Sequence, residues 1–329
     1  MDRRDFVRAL GLAGPAAALP AAAGVARAQG TDWPARAVRI IVPAPAGGPY
    51  DRALRPIAQE MSALLRQPVV VDNRPSAGNI VGTLAGAKAA PDGYTLTMTG
   101  MLNTIAAGLY DGVPFDIVGD FAHVGAIGAG AQALLARADA GYASFADLMA
   151  RAKREPGKVD YATSGAGSAG HLLMELLQRA AGVSMTHIAY KGGAPALQDL
   201  LAGVVGVAVL PPNVAIPHLQ SGRLKLLAMS SGARVAQFTD APTFAELGYP
   251  QLTVTSWVGL SAPRGTPAAV VGKLNATLYA ALKNPAVLGP LEADGLIPMH
   301  TTPDEYARLV RSDTERWTAL VRSLGLKAN

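Results

Sequence analysis

Apolar and polar positions along the chain follow two periods, and their order predicts a repeated strand-loop-helix design. Val38–Val42 is a short β-branched run. After a Pro/Gly-rich loop at 43–49, apolar residues return at three- and four-residue spacing (Leu54, Ile57, Ala58, Met61, Leu64, Leu65), which predicts an amphipathic helix. Gln67-Pro68 ends that helix and 69–72 predicts a strand, so the unit is β-α-β, of a length suited to a right-handed parallel crossover. A loop at 73–79 leads into a short helix, and the turn Pro91-Asp92-Gly93 feeds a strand at 94–99. Residues 100–120 show no clean period and predict irregular chain.

Strand-like runs at 124–128 and 132–136 are followed by a helix at 145–153. A second unit of the first design then begins: a strand at 159–162, a loop at 163–170, a helix with Leu172, Leu173, Leu176, Leu177 and Ala180 on one face, and a strand at 185–190. The recurrence predicts two similar α/β domains. Lys191-Gly192-Gly193-Ala194-Pro195 is a further strand-to-helix loop; a strand at 204–210, a helix at 214–220, a strand at 224–229, a short helix at 242–248 and a long strand at 252–262 follow. Amphipathic helices at 267–283 and 303–324 close the chain.

A strand-loop-helix junction leaves backbone N–H groups free at the helix N-terminus, where the peptide dipoles add roughly half a positive charge, so an anion binds there without Lys or Arg. Two such loops, around 43–51 and 163–171, predict a shared small anionic ligand. Asp51 reads as an N-terminal cap or first-turn acid, with direct ligand contact as the alternative. Ser168 reads as a ligand-binding hydroxyl or a helix cap, and His171 as a ligand donor or a loop cap. Ala166-Gly167-Ser168-Ala169-Gly170 is near the G-x-S-x-G nucleophile elbow, with Ala166 in place of the first glycine, so a Ser168/His171 hydrolase is the competing reading. Gly165-x-Gly167-x-x-Gly170 matches the bare dinucleotide hexamer, but the next strand ends in Tyr190-Lys191 where an acidic residue is needed. No cofactor is expected. The histidines lack metal-ligand spacing, so no metal site is expected either. Glu60, Glu155, Glu175, Glu246 and Glu292 read as carboxylates on solvated helix faces.

Composition narrows the classes. Half of the 329 residues are hydrophobic and 16% are charged, which fits a packed globular body. The net charge is +5, of which four arginines and two aspartates in the first 28 residues supply +2, and no dense basic run follows, so nucleic acid is not an expected partner. The absence of cysteine excludes disulfides, thiolate metal sites and lipidation on cysteine. Residues 1–28 have the layout of a cleavable export signal: Arg3-Arg4 ahead of Asp5-Phe6-Val7, an Ala/Gly-rich apolar stretch, and Ala26-Arg27-Ala28 as the cleavage site. The order resembles a twin-arginine signal and places the mature protein in the periplasm.

Six stretches carry a family resemblance: WPARAVRIIVPAPAGGPYD (33–51), QPVVVDNRPSAG (67–78), APDGYTL (90–96), PGKVDYATSGAGSAGHL (156–172), AYKGGAPALQDLLAG (189–203) and TSWVGLSAPRGTP (255–267). Taken in order, they resemble the substrate-binding receptors of tripartite tricarboxylate transporters, the Bug receptors, over essentially the whole mature length. The resemblance implies an α/β periplasmic binding protein of type II, a Venus flytrap with its ligand cleft between two domains and no chemistry. The implied domains are 30–134 plus 254–329, and 135–253. Implied partners are a small organic carboxylate and the membrane subunits of such a transporter, with a monomeric receptor; ligand sensing for a signalling partner is the other output. Carried over to this sequence, the implied ligand-binding residues are Pro45, Ala46, Gly47, Tyr50 and Asp51 in the first loop, Ser164, Gly167 and Ser168 in the second, Gly192 and Ala194 in the third, and Leu210. Ala44, Ala46, Pro49-Tyr50, Ala166, Ala169 and Leu210-Pro211 depart from the usual pattern. Leu210-Pro211 replaces a frequent Asp-Asn, which removes a partner for an amino group and points to a carboxylate with an apolar or aromatic remainder.

Overall fold

The computed structural model describes residues 33–327; the expected export signal lies outside them. From the first strand the elements are β1 (Val38–Val42), α1 (Pro49–Leu65), β2 (Val69–Asn73), α2 (Ile80–Ala87), β3 (Thr95–Gly100), α3 (Met101–Leu109) and β4 (Phe121–Ala131). Next come β5 (Ala133–Arg137), α4 (Phe145–Arg154), β6 (Asp160–Thr163), α5 (Ala169–Ala181), β7 (Thr186–Ala189), α6 (Gly193–Ala202), β8 (Val207–Leu210), α7 (Ile216–Gln220) and β9 (Leu224–Met229). The chain ends with β10 (Thr255–Pro263), α8 (Ala268–Ala281), α9 (Pro285–Ala293), β11 (Ile297–Pro298) and α10 (Pro303–Leu324).

The strands form two sheets. The first has the order β11-β4-β10-β3-β1-β2 and the second β7-β6-β8-β5-β9. In both, the repeated unit supplies parallel pairs: β1 with β2 and β3, and β6 with β7 and β8. β1 lies between two neighbours and is buried at every position but Arg39, which is why its sequence is a nearly unbroken apolar run rather than an alternation. One apolar cluster spans both sheets, from Ile105, Val310 and Trp317 to Leu148, Leu172 and Leu177.

The chain crosses between the sheets twice, at Gln132 and between Met229 and Thr255. Ser230, fully buried, ties the crossings together. Its Oγ accepts the Gln132 N–H at 2.8 Å and donates to Val254 O at 2.5 Å, while its own backbone pairs with Gln132 O and Val254 N. Two expectations fail. Residues 100–120, read as irregular, contain α3, and 242–248, read as a helix, is a series of turns. No described helix is long and apolar enough to cross a membrane.

Candidate functional site

In the first loop Gly47 has φ +74°, a left-handed conformation that side chains disfavour. Its N–H donates to Asp51 Oδ2 at 2.8 Å, and Arg55 Nε donates to the same oxygen at 2.7 Å. Burial pushes the Asp51 carboxyl up, but the hydrogen bonds from Arg55 and Gly47 outweigh it and hold the pKa below the ordinary value. Asn73 Nδ2, at the end of β2, donates to Ala44 O at 3.1 Å, and Gly48 N–H turns back to Pro45 O at 3.2 Å. Pro49 opens α1 and has no N–H, so the amides of Tyr50 and Asp51 are the first-turn donors without an intrahelical acceptor.

The second loop uses the same device with different chemistry. Gly167 has φ +72° and donates its N–H to His171 Nδ1 at 3.0 Å. Each loop glycine therefore gives its N–H to a side chain four residues on, inside the first turn of the next helix. Ser168 is the N-cap of α5, its Oγ accepting the His171 backbone N–H at 3.3 Å. Because Nδ1 accepts, His171 is the neutral tautomer with its proton on Nε2, 3.7 Å from Glu175. The ring stacks on His187 at 3.9 Å, and His187 Nε2 lies 2.7 Å from Thr163 Oγ1. Burial pushes both histidines down to about 4. Glu175, expected on a solvated face, accepts the Tyr161 hydroxyl at 3.1 Å instead. The His171 imidazole is thus committed to the loop glycine and is not set against Ser168 Oγ, which leaves no nucleophile pair.

The third turn docks on the second loop through Gly192 N–H to Ser164 O at 3.1 Å. Gly167 presses on the first half of the chain, since a side chain there would collide with Leu109 at the end of α3.

A cavity of about 120 Å³ opens where α1, the first sheet and the segment after β8 meet. Pro49, Tyr50 and Ala53 of α1, Ala131 and Val258 of the first sheet, Leu296, and Pro211 after β8 give it mainly apolar walls. Asp294 at its edge is neutralised by a two-pronged bond from Arg52 at 3.0 and 3.1 Å, and Arg52 Nη1 also holds Gly47 O at 3.0 Å. The Tyr50 ring lines the cavity while its hydroxyl, buried without a partner, sits over Gly100, where a Cβ would stand 2.5 Å from it. Burial pushes that phenol up.

The predicted residues separate accordingly. Tyr50 is in the cavity wall; Asp51 is buried beneath the first loop, and Pro45, Ala46 and Gly47 are exposed on it. Ser164, Gly167, Ser168, Gly192 and Ala194 gather around the second loop and are not part of that wall. Leu210 is fully buried in the core of the second sheet, and its neighbour Pro211 faces the cavity. Sequence reasoning missed the contribution of 294–296, for which the chain carries no local signal, and the clip role of His171, for which the matched Gly-to-helix spacing of GGPYD and GSAGH is the signal.

Residues 53–326 match the family model described as tripartite tricarboxylate transporter family receptor. The chain is 37% identical to protein BugT of Bordetella pertussis over 310 residues, covering 93% of this chain and 95% of that one. Among solved structures, MatC of Rhodopseudomonas palustris with bound malate aligns with a TM-score of 0.73 and 31% identity, covering 88% of this chain and 100% of that one. The R. palustris protein Rpa4515 with adipate aligns with a TM-score of 0.75 and 32% identity, covering 90% and 100%. With two α/β sheets and this likeness along nearly its whole length, the chain belongs to the tripartite tricarboxylate transporter receptor family, whose members are periplasmic solute-binding proteins and not enzymes.

Proposed function

We propose that this receptor captures a small carboxylate with an apolar or aromatic remainder between its two halves and delivers it to a membrane transporter of the tripartite tricarboxylate type. The carrying observation is the pair of matched glycine clips, which free the first-turn amides of α1 and α5 for an anion. The first clip already holds a carboxylate, Asp51, whereas the second is neutral, so the second loop is the better holder of a ligand anion. In this reading Ser164, Gly167 and Ser168 meet the carboxylate, with Gly192 and Ala194 beside them. Pro45, Ala46, Gly47 and Tyr50 close from the other side, Asp51 sets their loop, and Leu210 backs the wall. The apolar cavity suits a remainder without an amino group. Relatives with bound malate and adipate support the carboxylate class. The domains would be 30–134 plus 254–329 and 135–253, with Ser230 at the hinge between them.

Charge-assisted hydrogen bonds of roughly 1.5–3 kcal/mol each, with up to about 2 kcal/mol from a helix terminus, are enough for the roughly 8 kcal/mol of a micromolar complex after ordering costs. Calorimetry with aliphatic, aromatic, amino and hydroxy carboxylates tests this. Aliphatic or aromatic members should bind, and Ser168→Ala should weaken them about 10- to 100-fold. Lys153→Ala, on the exposed face of α4, should change nothing. Tight uptake of aspartate or citrate alone would reject the ligand class.

A further inference from the structure

Beside the first cavity lies a second, larger one of about 610 Å³. It too is bounded by both halves of the chain: Met229, Val235 and Phe238 on one side, Ile297 and Met299 on the other. The two chambers share Ala131, Gly295 and Leu296 as a common wall, and the consecutive prolines Pro211 and Pro212 line the first and the second respectively. We propose that the second chamber receives the apolar tail of the ligand, so that the receptor's ligands include medium-chain monocarboxylates whose chain passes over Ala131 and Leu296. The proposal rests on the carboxylate reading above and extends it.

Three observations support this path. First, the residues common to the two chambers are mostly small: Ala131 and Gly295 contribute almost no side chain, leaving Leu296, itself half-buried, as the one bulky side chain between them. Second, a single side-chain hydrogen bond stitches the proline segment to this wall. Asn213 Nδ2 donates to Ala293 O at 3.2 Å at an exposed position, and Gly295, at φ +78°, lets Asn213 approach so closely that a Cβ there would be 2.9 Å from its Oδ1. Such a bond opens at small cost compared with burying a chain.

Third, the chamber is matched to a tail and not to a second anion. Its one arginine, Arg234, is committed: Nε donates to both Glu246 oxygens at 2.9 and 3.1 Å, and Nη1 to Thr239 O at 2.6 Å. Glu292 at the rim adds a negative charge that disfavours another carboxylate. Met229, Val235, Phe238, Ile297 and Met299 supply the larger, apolar part of the lining, with Asn213, Ser231, Gln237 and Thr255 as polar residues among them, and Ile297 is 53% exposed, an apolar surface left for a ligand to cover.

Calorimetry with butanoate, hexanoate, octanoate and decanoate on the mature receptor tests the path. Affinity should climb along the series, by about fourfold per methylene where the chain is fully buried. Ala233→Trp fills the second chamber alone, from an exposed position that leaves the fold intact. It should abolish the climb for octanoate and decanoate and leave butanoate unchanged. Affinity that is flat or falling beyond hexanoate, or a climb that survives Ala233→Trp, overturns the tail chamber while the receptor reading stands. Absence of binding by every member, with the carboxylate panel also silent, overturns both.

Discussion

Asp51→Ala is expected to lower ligand affinity by about two decades and to destabilise the fold by about 2–3 kcal/mol. The carboxylate is 2% exposed and receives both the Gly47 N–H and Arg55 Nε. Hydrogen bonds to a charged group contribute roughly 1.5–3 kcal/mol, which sets the stability loss. The loss in affinity has a different origin. Without the clip, Gly47 and its neighbour must be ordered by the ligand, at about 1–2 kcal/mol per residue, or about one decade each. Asp51→Asn retains an acceptor for Gly47 but gives up the charge facing Arg55, and should fall between wild type and Ala. Calorimetry and thermal unfolding on the three proteins check this. A lowered melting temperature with undiminished binding would make Asp51 a purely structural residue.

Acid should act on the second loop. His171 and His187 are held down to about 4, mainly by burial, against 6.5 in the unfolded chain. Below pH 6.5 the unfolded state takes up protons that the folded state does not, so the histidine contribution to stability falls as pH drops from about 6.5 to about 4 and levels off below that. A depression of this size is worth about 3 kcal/mol for the buried His171 ring and less for His187, which is only half-buried and partly screened by solvent. The groups around the pair are Glu175, which favours protonation of His187, and Tyr161, which stacks on it. His123, in the first sheet and also held down to about 4, adds to the same slope. Protonation of His171 has a local consequence as well, because Nδ1 becomes a donor and releases the Gly167 N–H. His171→Asn places a non-titrating Oδ1 where Nδ1 stands. Denaturant unfolding between neutral pH and about 4 should show a slope reduced by about 3 kcal/mol in this variant; an unchanged slope would mean that His171 does not titrate as described.

The strand-loop-helix units were readable in the sequence because each level of signal agreed. β1 and β6 are short apolar runs, the loops contain Gly47 and Gly167 at their left-handed positions, Ser168 caps α5, and the helical faces repeat at the expected spacing. α3 was not readable. Its MLNTIAAGL sequence contains good helix formers but no polar face to give a clean helical period, and its start is fixed by a side chain: Asn103 Oδ1 accepts the Gly100 N–H at 2.9 Å while Nδ2 donates to Thr83 Oγ1 at 2.8 Å. The segment at 242–248 failed in the opposite direction. Thr243 and Glu246 cap each other as at a helix start, but Met229 N–H takes Pro242 O, Phe244 N–H goes to Met229 O, and Gly248 at φ +89° turns the chain away. Tyr50 was expected near a ligand from the family resemblance alone; it lies in the first turn of α1 against the small cavity, and the seat of its hydroxyl over Gly100 depends on two segments meeting in space. The same holds for 294–296, which reach the cavity wall only because β11 pairs with β4.

In the proposed receptor the first turns of α1 and α5 hold one ligand together. Backbone amide shifts of Tyr50 and Ala169, followed by nuclear magnetic resonance as the best carboxylate of the panel is added, test it directly. Both amides should move with a single shared midpoint equal to the calorimetric one. Movement of one alone, or two separate midpoints, would mean that the two turns do not share a ligand.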